Sequence, residues 1–255
     1  MSLYAEERQQ RILTQAQRDR RVEVASLSTQ FGVTQETVRR DLDRLERQGL
    51  LRRVHGGAIP SGHLSFEPGL SQRDALASSE KARIARAAAS LLPRGGTLLL
   101  DAGTSTARLA AELPEDSELN VVTNALPIAT ALASRPGITV HLVGGRVRGR
   151  TLATVDTWAL TTLAGLNVDV AVLGTNGISV ERGLTTPDPA EAGVKAAMVA
   201  AGRRVVVLAD STKVGADQFA RFAELSDIDQ LVTDPGIDPA TRTAFAAAGV
   251  DVVVA

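Results

Sequence analysis

Apolar residues recur about one helical turn apart in three short runs within the first fifty residues of the chain. The runs cover residues 5–17, residues 24–31 and the segment that follows Thr34. The positions expected to face inward are Ile12, Leu13, Ala16, Val24, Leu27, Phe31, Val38, Leu42 and Leu45. Gly32 is expected to end the second helix, Thr34 to cap the third, and Gly49 to end the third at its C′ position. The pattern therefore predicts three helices, with a tight turn between the last two.

The outward face of the third predicted helix is polar. The residues that project from it are Glu36, Arg40, Asp43 and Arg47, with Arg39 on its flank. A short helix, a tight turn and a second helix with polar first turns form a helix-turn-helix, whose second helix enters the DNA major groove N-terminus first. The next segment predicts the wing of a winged helix, with a strand at Leu50–Val54 and a turn at His55-Gly56-Gly57.

Candidate DNA contacts lie on the third helix and on the wing. Arginine bridges phosphates or contacts guanine with two hydrogen bonds, which makes Arg39 and Arg40 the strongest candidates. The predicted DNA-binding set is Thr34, Gln35, Thr37, Arg39, Arg40, Arg52, Arg53 and His55. The residues alone leave a second interpretation open. Glu36–Arg40 and Asp43–Arg47 are spaced four apart and could pair on an exposed face that binds nothing.

From Ser79 onward, continuous apolar strands alternate with helical patterns. Strands are predicted at residues 97–101, 119–123, 138–143, 168–173, 204–208, 229–233 and 250–254. Helices are predicted at residues 80–92, 104–113, 125–134, 156–165, 189–201 and 239–248. This alternation is typical of a mainly parallel α/β sheet covered on both faces. Residues 59–78 contain Pro and Gly without a sustained period, so we expect a linker there, between domains at 1–58 and 79–255.

Small and polar residues cluster where the predicted strands end. The clusters are Asp101–Thr106, Thr123-Asn124, Gly144-Gly145, Gly174-Thr175-Asn176-Gly177 and Asp210-Ser211-Thr212-Lys213. In the first of them, Gly103 and the three hydroxyl residues after it open a helix, whose N–H groups and positive dipole end suit a phosphate. Taken singly, each cluster also fits an ordinary capped turn. Ligands of open α/β sheets bind outside the carboxyl ends of strands, so the clusters together predict a small-molecule pocket.

Composition limits the class of protein. The chain of 255 residues has 44% hydrophobic and 22% charged residues, which is ordinary globular composition. It has no cysteine, which excludes disulfides and thiolate metal sites. Aromatic residues make up only 3%, which argues against a stacking platform for single-stranded nucleic acid. The apolar runs are too short to span a bilayer, so we expect a cytoplasmic protein with no membrane partner. We also expect no cofactor and no metal.

Charge is unevenly distributed, although the net charge is only −1. Residues 1–60 hold 11 Arg and no Lys against 8 acidic residues, whereas the remainder holds 17 basic against 21 acidic residues. A basic N-terminal part on an acidic body is typical of a DNA-binding module joined to a domain of another kind.

Both predicted domains resemble DeoR-type bacterial transcriptional repressors. The matching N-terminal segments are ERQQRI (7–12), FGVTQETVRRDL (31–42), LERQGL (45–50) and RRVHGGA (52–58). The second domain resembles the family's sugar-binding domain, which is similar in fold to ribose-5-phosphate isomerase. Its matching segments are DAGTST (101–106), VVTN (121–124), VGG (143–145), NGIS and GLTTPD within 176–188, EAGVK (191–195) and ADSTK (209–213).

The resemblance implies that a phosphorylated sugar binds the second domain, with DAGTST as the phosphate loop. It implies that the residues which contact or frame this ligand include Asp101, Asn124, Lys195, Asp210 and Lys213. The whole predicted ligand set is Asp101, Gly103, Thr104, Ser105, Thr106, Asn124, Gly144, Gly145, Asn176, Gly177, Lys195, Asp210 and Lys213. From the residues alone, Lys195 could equally be a surface lysine. The implied protein is a homodimeric or homotetrameric repressor of a sugar operon, bound to double-stranded operator DNA.

The chain departs from the isomerases where proton transfer needs carboxylates. Their Gly-Ala-Asp-Glu-type segment is here Gly174-Thr175-Asn176-Gly177, and their Lys-Gly-rich loop is here Leu184-Thr185-Thr186-Pro187. We therefore expect no catalytic residue and a pocket that senses its ligand. Two alternatives remain open at this point. One is a sugar-phosphate isomerase with an appended DNA-binding domain, and the other is a DNA-binding protein whose α/β domain only oligomerises.

Overall fold

A computed structural model of the chain describes residues 5–19, 21–47, 50–60 and 67–255. The predicted helix end at Gly49 lies outside these residues. The chain divides into two compact units, Met1–Pro68 and Gly69–Ala255, each with its own core.

The first unit is a winged helix-turn-helix, as predicted. Its elements are α1 (Ala5–Asp19), β1 (Val22–Glu23), α2 (Val24–Phe31), α3 (Gln35–Arg47), β2 (Leu51–Val54) and β3 (Gly57–Pro60). The three strands form an antiparallel sheet in the order β1-β3-β2, and the β2–β3 hairpin is the wing. All the predicted inward positions are buried except Phe31, which is half-buried. The helical spacing of apolar residues therefore identified this core correctly.

The turn between α2 and α3 has the predicted chemistry. Gly32 ends α2 with φ +62°, in the left-handed region that a residue without Cβ adopts at little cost. Thr34 caps α3, because its Oγ1 accepts the Thr37 backbone N–H at 3.2 Å. The direction in which α3 leaves the turn is thus fixed by local sequence.

The second unit is an α/β fold on a seven-stranded parallel sheet, which confirms the predicted fold class. In spatial order, the strands are β15 (Asp251–Val254), β14 (Gln230–Thr233), β12 (Gly202–Leu208), β9 (Val168–Gly174), β4 (Gly95–Leu100), β5 (Glu118–Thr123) and β6 (Ile138–Leu142). The helices are α4 (Leu70–Ala75), α5 (Ser78–Ala89), α6 (Thr104–Glu112), α7 (Leu126–Leu132), α8 (Thr157–Ala164), α9 (Pro189–Ala201) and α10 (Pro239–Ala247).

Both faces of the sheet are buried, which explains why its strands are apolar without interruption. Leu98 and Leu100 of β4 belong to one core with Ile84 of α5. Leu99 points to the opposite face and belongs to a second core with Met198 of α9 and Phe245 of α10. The side chains of one strand therefore supply two cores in alternation.

The strand order reverses between β4 and β9. From β4 the chain adds β5 and then β6 on one side, and it returns to place β9 on the other side of β4. Crevices for ligands form at such a switch point, outside the carboxyl ends of the two strands. Here those ends are followed by Asp101 and by Thr175.

Several features of the fold differ from the sequence-based expectation. The expected linker at 59–78 contains the end of β3 and the helix α4, none of whose residues is buried, so α4 leaves no apolar pattern to detect. A hairpin of β7 (Arg146–Arg148) and β8 (Ala153–Val155) was not predicted. Nor was a small sheet of β10 (Gly177–Ser179), β11 (Gly183–Thr186) and β13 (Ala220–Ala223). Strands this short carry too few residues to show a period.

Candidate functional site

The polar face of α3 is open to solvent. The side chain of Arg40 is 81% exposed and that of Arg39 is 50% exposed. Glu36 lies 3.8 Å from the Arg40 Nε and 3.7 Å from an Arg39 terminal nitrogen. Exposed pairs of this length contribute about 0–1 kcal/mol, so Glu36 holds neither arginine firmly. The pairing suggested by the sequence thus exists and leaves both arginines available.

The other predicted contacts fall into two groups. Thr34 and Thr37 hydrogen-bond to each other at 2.9 Å at the start of α3, next to Gln35, whose Oε1 accepts from Arg39 at 3.4 Å. Arg52 on β2 and His55 in the wing turn are exposed. The first group therefore offers polar side chains at the N-terminus of α3, and the second offers them along the wing.

Arg53, a third predicted contact on the wing, has partners within the protein. One terminal nitrogen donates to Asp43 Oδ1 at 2.6 Å and to the Arg39 carbonyl oxygen at 3.3 Å. The Arg53 backbone N–H donates to Glu46 Oε1 at 2.7 Å. Arg53 therefore fastens the wing to α3, and Asp43 bonds to it rather than pairing with Arg47 as the sequence suggested.

A small cavity lies at the switch point of the second unit. Its lining residues are Arg73, Leu76, Lys81, Gly103, Thr104, Ser105, Gly174, Thr175, Leu208, Ala209, Asp210 and Lys213. They come from α4, α5, the start of α6 and the ends of β9 and β12. The volume is about 30 Å³, room for about two water molecules. We call this space the anion cavity, for the charges described next.

Positive charge dominates the lining of the anion cavity. Three cationic side chains, Arg73, Lys81 and Lys213, face one carboxylate, Asp210, whose Oδ1 already accepts from the Thr212 N–H at 3.2 Å. The first turn of α6 adds its N–H groups and the positive end of its dipole. Among the described residues, the Lys213 ammonium and the hydroxyls of Thr104 and Ser105 have no hydrogen-bond partner. This arrangement suits a phosphate group.

Burial is the main cause of a lowered pKa at Lys81. It lowers this pKa to about 8, Asp210 and Asp74 oppose the shift, and Lys213 and Arg73 add to it. The Lys81 Nζ donates to the carbonyl oxygens of Arg73 and Leu76, the latter at 2.6 Å. An anion in the cavity would relieve the repulsion among the three cations.

Asp101 and Lys195 form a buried ion pair between β4 and α9. Lys195 is 4% exposed, so the alternative of a surface lysine is wrong. Its Nζ donates to Asp101 Oδ2 and to the Gly174 carbonyl oxygen at 2.9 Å, and Asp101 Oδ2 also accepts the Gly174 N–H at 3.0 Å. Burial raises the pKa of Asp101, against the opposing effects of Lys195 and of that N–H. The pair joins the ends of β4 and β9 and so frames the switch point.

The remaining predicted ligand residues lie outside the cavity lining. Asn124 braces two loops, accepting the Ala102 N–H at 3.0 Å and donating to the Thr154 carbonyl at 3.2 Å. A side chain at Gly145 would meet the Val155 carbonyl, and one at Gly177 the Ala216 carbonyl. The others are Thr106, which bonds to the Gly103 carbonyl, Gly144, and Asn176, which accepts from Thr186.

Lys81 and Arg73 were missed by the sequence analysis. Arg73 lies in the expected linker, where no pattern distinguishes it. Lys81 had a signal, because it is three, four and seven residues before Ile84, Ala85 and Ala88 and so shares the inward face of α5. The chain has three lysines, at 81, 195 and 213, and all three lie in or directly behind the anion cavity.

A larger cavity of about 540 Å³ adjoins the anion cavity and shares Gly103 and Thr104 with it. Its walls are α4, α6, the start of α7 and Thr151, with Asp74 and Arg108 among its polar groups. The two spaces together could hold a phosphate and the organic group attached to it.

In the described part of the chain, no helix is long and apolar enough to cross a membrane. No group of three or more His, Cys, Asp or Glu side chains is placed there to hold a metal ion.

Each of the two units matches a known domain family. Residues 8–61 match the DeoR-like helix-turn-helix domain, and residues 76–235 match the DeoR C terminal sensor domain. The chain is 39% identical over 230 residues to the HTH-type transcriptional regulator GlpR of Haloferax volcanii, covering 90% of both. It is 35% identical to the HTH-type transcriptional repressor GlcR of Bacillus subtilis, covering 91% of this chain and 89% of that protein. This protein belongs to the DeoR family of transcriptional regulators.

Among solved structures, ribose 5-phosphate isomerase A from Methanocaldococcus jannaschii is similar with a TM-score of 0.40 and 16% identity, over 54% of this chain and 55% of that chain. The curated relatives are named as transcriptional regulators. The prediction of a regulator rather than an enzyme is therefore confirmed by the family.

Proposed function

We propose that this protein is an operator-binding repressor of a sugar-utilisation operon and that a phosphorylated sugar controls it. The observation that carries the ligand half of the proposal is the anion cavity, where three cations and a helix N-terminus surround one small space at the switch point. The match to a sensor domain supports a ligand-binding role for the same unit. The phosphate would occupy the anion cavity, and the sugar would extend into the larger space beside it.

The DNA half of the proposal assigns α3 to the major groove and the wing to the phosphate backbone. A single DNA-binding unit makes few base contacts and so discriminates poorly between DNA sequences. The active species would therefore be a homodimer or homotetramer on paired half-sites. An operator-binding protein acts where its DNA lies, which places this one in the cytoplasm.

Replacing Arg39 or Arg40 by alanine should weaken DNA binding without unfolding the protein, because both side chains lie off the apolar face of α3. A base-reading arginine costs about 1–3 kcal/mol and relaxes specificity at one position, whereas a phosphate contact weakens all sequences alike. Titrations at low salt against sites selected from a random DNA library would measure this. Arg242→Ala, on the exposed side of α10, serves as the control. Unchanged affinity in both α3 variants would contradict the assignment of α3 to the major groove.

A phosphorylated sugar should bind at least about tenfold more tightly than its parent sugar, because each charge-assisted hydrogen bond contributes about 1.5–3 kcal/mol. Lys213→Ala should remove much of that difference, since its ammonium has no described partner within the protein. It should leave DNA binding in the absence of ligand intact. Calorimetry with a panel of pentose and hexose phosphates and their parent sugars would measure both effects. Equal affinity for a sugar and its phosphate, across the panel, would contradict the proposal.

Affinity for the sugar phosphate should fall as the pH rises from about 7 to about 9, because Lys81 loses its proton within this interval. Burial lowers the pKa of Lys81 to about 8. A phosphate ester, with a second pKa of about 6, is already a dianion there and adds no change of its own. Calorimetry across the interval would test this, with Lys81→Met as the variant that should show a flat profile. A flat profile in the native protein would show that Lys81 does not face the anion.

A further inference from the structure

Lys81 connects the anion cavity to helix α4. Its ammonium donates to the carbonyl oxygens of Arg73 and Leu76, at the carboxyl end of α4, and it also lines the cavity. An ammonium has three protons to donate, and two of them are already used on α4. A phosphate in the cavity therefore competes with the end of α4 for the hydrogen bonds of Lys81.

The anion cavity is a tight site for a phosphate group. Its volume is only about 30 Å³, although it is partly open to solvent, so a phosphate that enters it fully presses against the walls. The walls formed by β9 and β12 belong to the buried sheet. The wall formed by Arg73 and Leu76 belongs to the end of α4, a six-residue helix with no buried residue. So short a helix is unstable by itself in water, so α4 is the wall that moves most easily.

Polar contacts hold α4 in place, and a strained turn follows it. One terminal nitrogen of Arg108, on α6, donates to Asp74 Oδ1 and to Ser78 Oγ, both at 2.9 Å. The turn that joins α4 to α5 contains Ala77 at φ +49°, in the left-handed region that disfavours residues with a Cβ. Backbone strain of this kind clusters at ligand clamps and switch regions, and α4 is attached beside it by polar bonds.

We propose that a phosphate group entering the anion cavity draws Lys81 away from the carbonyl oxygens of Arg73 and Leu76. The carboxyl end of α4 then loses its attachment to α5, and α4 is released from its docked position. Only Gly69 separates the end of the first unit from the start of α4. Release of α4 therefore carries the occupancy of the cavity into the chain that leads to the DNA-binding unit. This inference rests on the proposed function, because it requires that the cavity binds phosphate.

Hydrogen exchange of the full chain, with inorganic phosphate compared against chloride at equal ionic strength, tests the release directly. Phosphate should slow exchange of the amides at 104–107, which it contacts, and should accelerate exchange at 70–76 severalfold. The amides of α10 serve as the internal reference. Slower or unchanged exchange at 70–76, together with protection at 104–107, would overturn the release of α4. Absence of protection at 104–107 would overturn the proposed phosphate site itself, so the two failures are distinguishable.

Arg108→Gln separates release of α4 from simple electrostatics. The variant removes a cation from the neighbourhood of the cavity, so electrostatics alone predicts weaker phosphate binding. It also loosens α4, which by linkage predicts phosphate binding tighter by about two- to fivefold, since less docking energy opposes it. Calorimetry with inorganic phosphate would show whether the affinity for phosphate rises or falls. Arg242→Gln on α10 is a matched loss of charge that should leave this affinity unchanged. Equal or weaker binding by Arg108→Gln would refute the coupling between α4 and the cavity.

Discussion

Lys195→Met should destabilise the second unit by about 3–5 kcal/mol, because it leaves the Asp101 carboxylate buried without its cation. Asp101 is 1% exposed, so water cannot replace the lost partner. Urea unfolding would measure the loss. Lys195→Met combined with Asp101→Leu removes both charges and should be less destabilised than the single variant. A double variant as unstable as the single one would mean that packing, rather than the unpaired charge, causes the loss.

The stability deficit of Lys195→Met should also depend on pH. Burial raises the pKa of Asp101 above its ordinary value, and loss of Lys195 raises it further. Between the unfolded and the folded pKa the folded state binds more protons, so stability falls as the pH rises through the folded pKa. The deficit should therefore be smaller at about pH 5 than at about pH 8. A deficit independent of pH would indicate that Asp101 is not the group left uncompensated.

The sheet and the helices were predictable because burial on both sides leaves a direct trace in the sequence. The run 168–173 predicted β9, which extends from Val168 to Gly174. The helix predicted at 189–201 is α9, with the same bounds. By contrast, α4 buries none of its residues and left no trace, although it forms one wall of the anion cavity. Prediction from periodicity therefore succeeded for elements that build the cores and failed for the element that closes the site.

Charged residues at inward positions of helices were a sequence signal that the prediction did not use. Asp41 lies three residues after Val38 and four before Leu45 on α3, Lys81 lies on the inward face of α5, and Lys195 lies on that of α9. Such a pattern predicts a buried polar contact or a binding site. It does not name the partner, because Lys195 meets a residue 94 positions away only through the topology of the sheet.

The same limit applies to Arg53 on the wing. Its sequence context, next to Arg52 in a basic strand, predicted a second phosphate contact. The fold adds that Arg53 meets Asp43 and the Arg39 carbonyl on α3, while Arg52 stays exposed. Adjacent residues of a strand point to opposite faces, and the sequence alone does not say which face the helix covers.

Asp41→Leu should unfold the first unit and abolish DNA binding. Asp41 is 3% exposed, and its carboxylate accepts from Arg8 Nε and from Gln9 Nε2, both at 2.6 Å. Removing it breaks the buried charge pair with the Arg8 guanidinium, at a cost of about 3–5 kcal/mol. A core in a unit of this size rarely supplies more than about 3–5 kcal/mol of stability in total. The loss is therefore comparable with the whole stability of the unit that ends at Pro68.

Hydrogen exchange would locate the effect of Asp41→Leu. Amides of α3 should lose their protection, whereas those of β9 and β12 in the second unit should keep theirs. Arg8→Met combined with Asp41→Leu replaces both charges by apolar side chains and should restore protection in α3, because no charge is then left without its partner. Asp43→Ala, two residues along the same helix, removes a carboxylate whose bond to Arg53 lies at the surface and contributes about 0–1 kcal/mol, so it should leave α3 protected. If Asp41→Leu left α3 protected, or if Asp43→Ala exposed it to the same degree, the stability of the DNA-binding unit would not depend on the buried charge pair between α1 and α3.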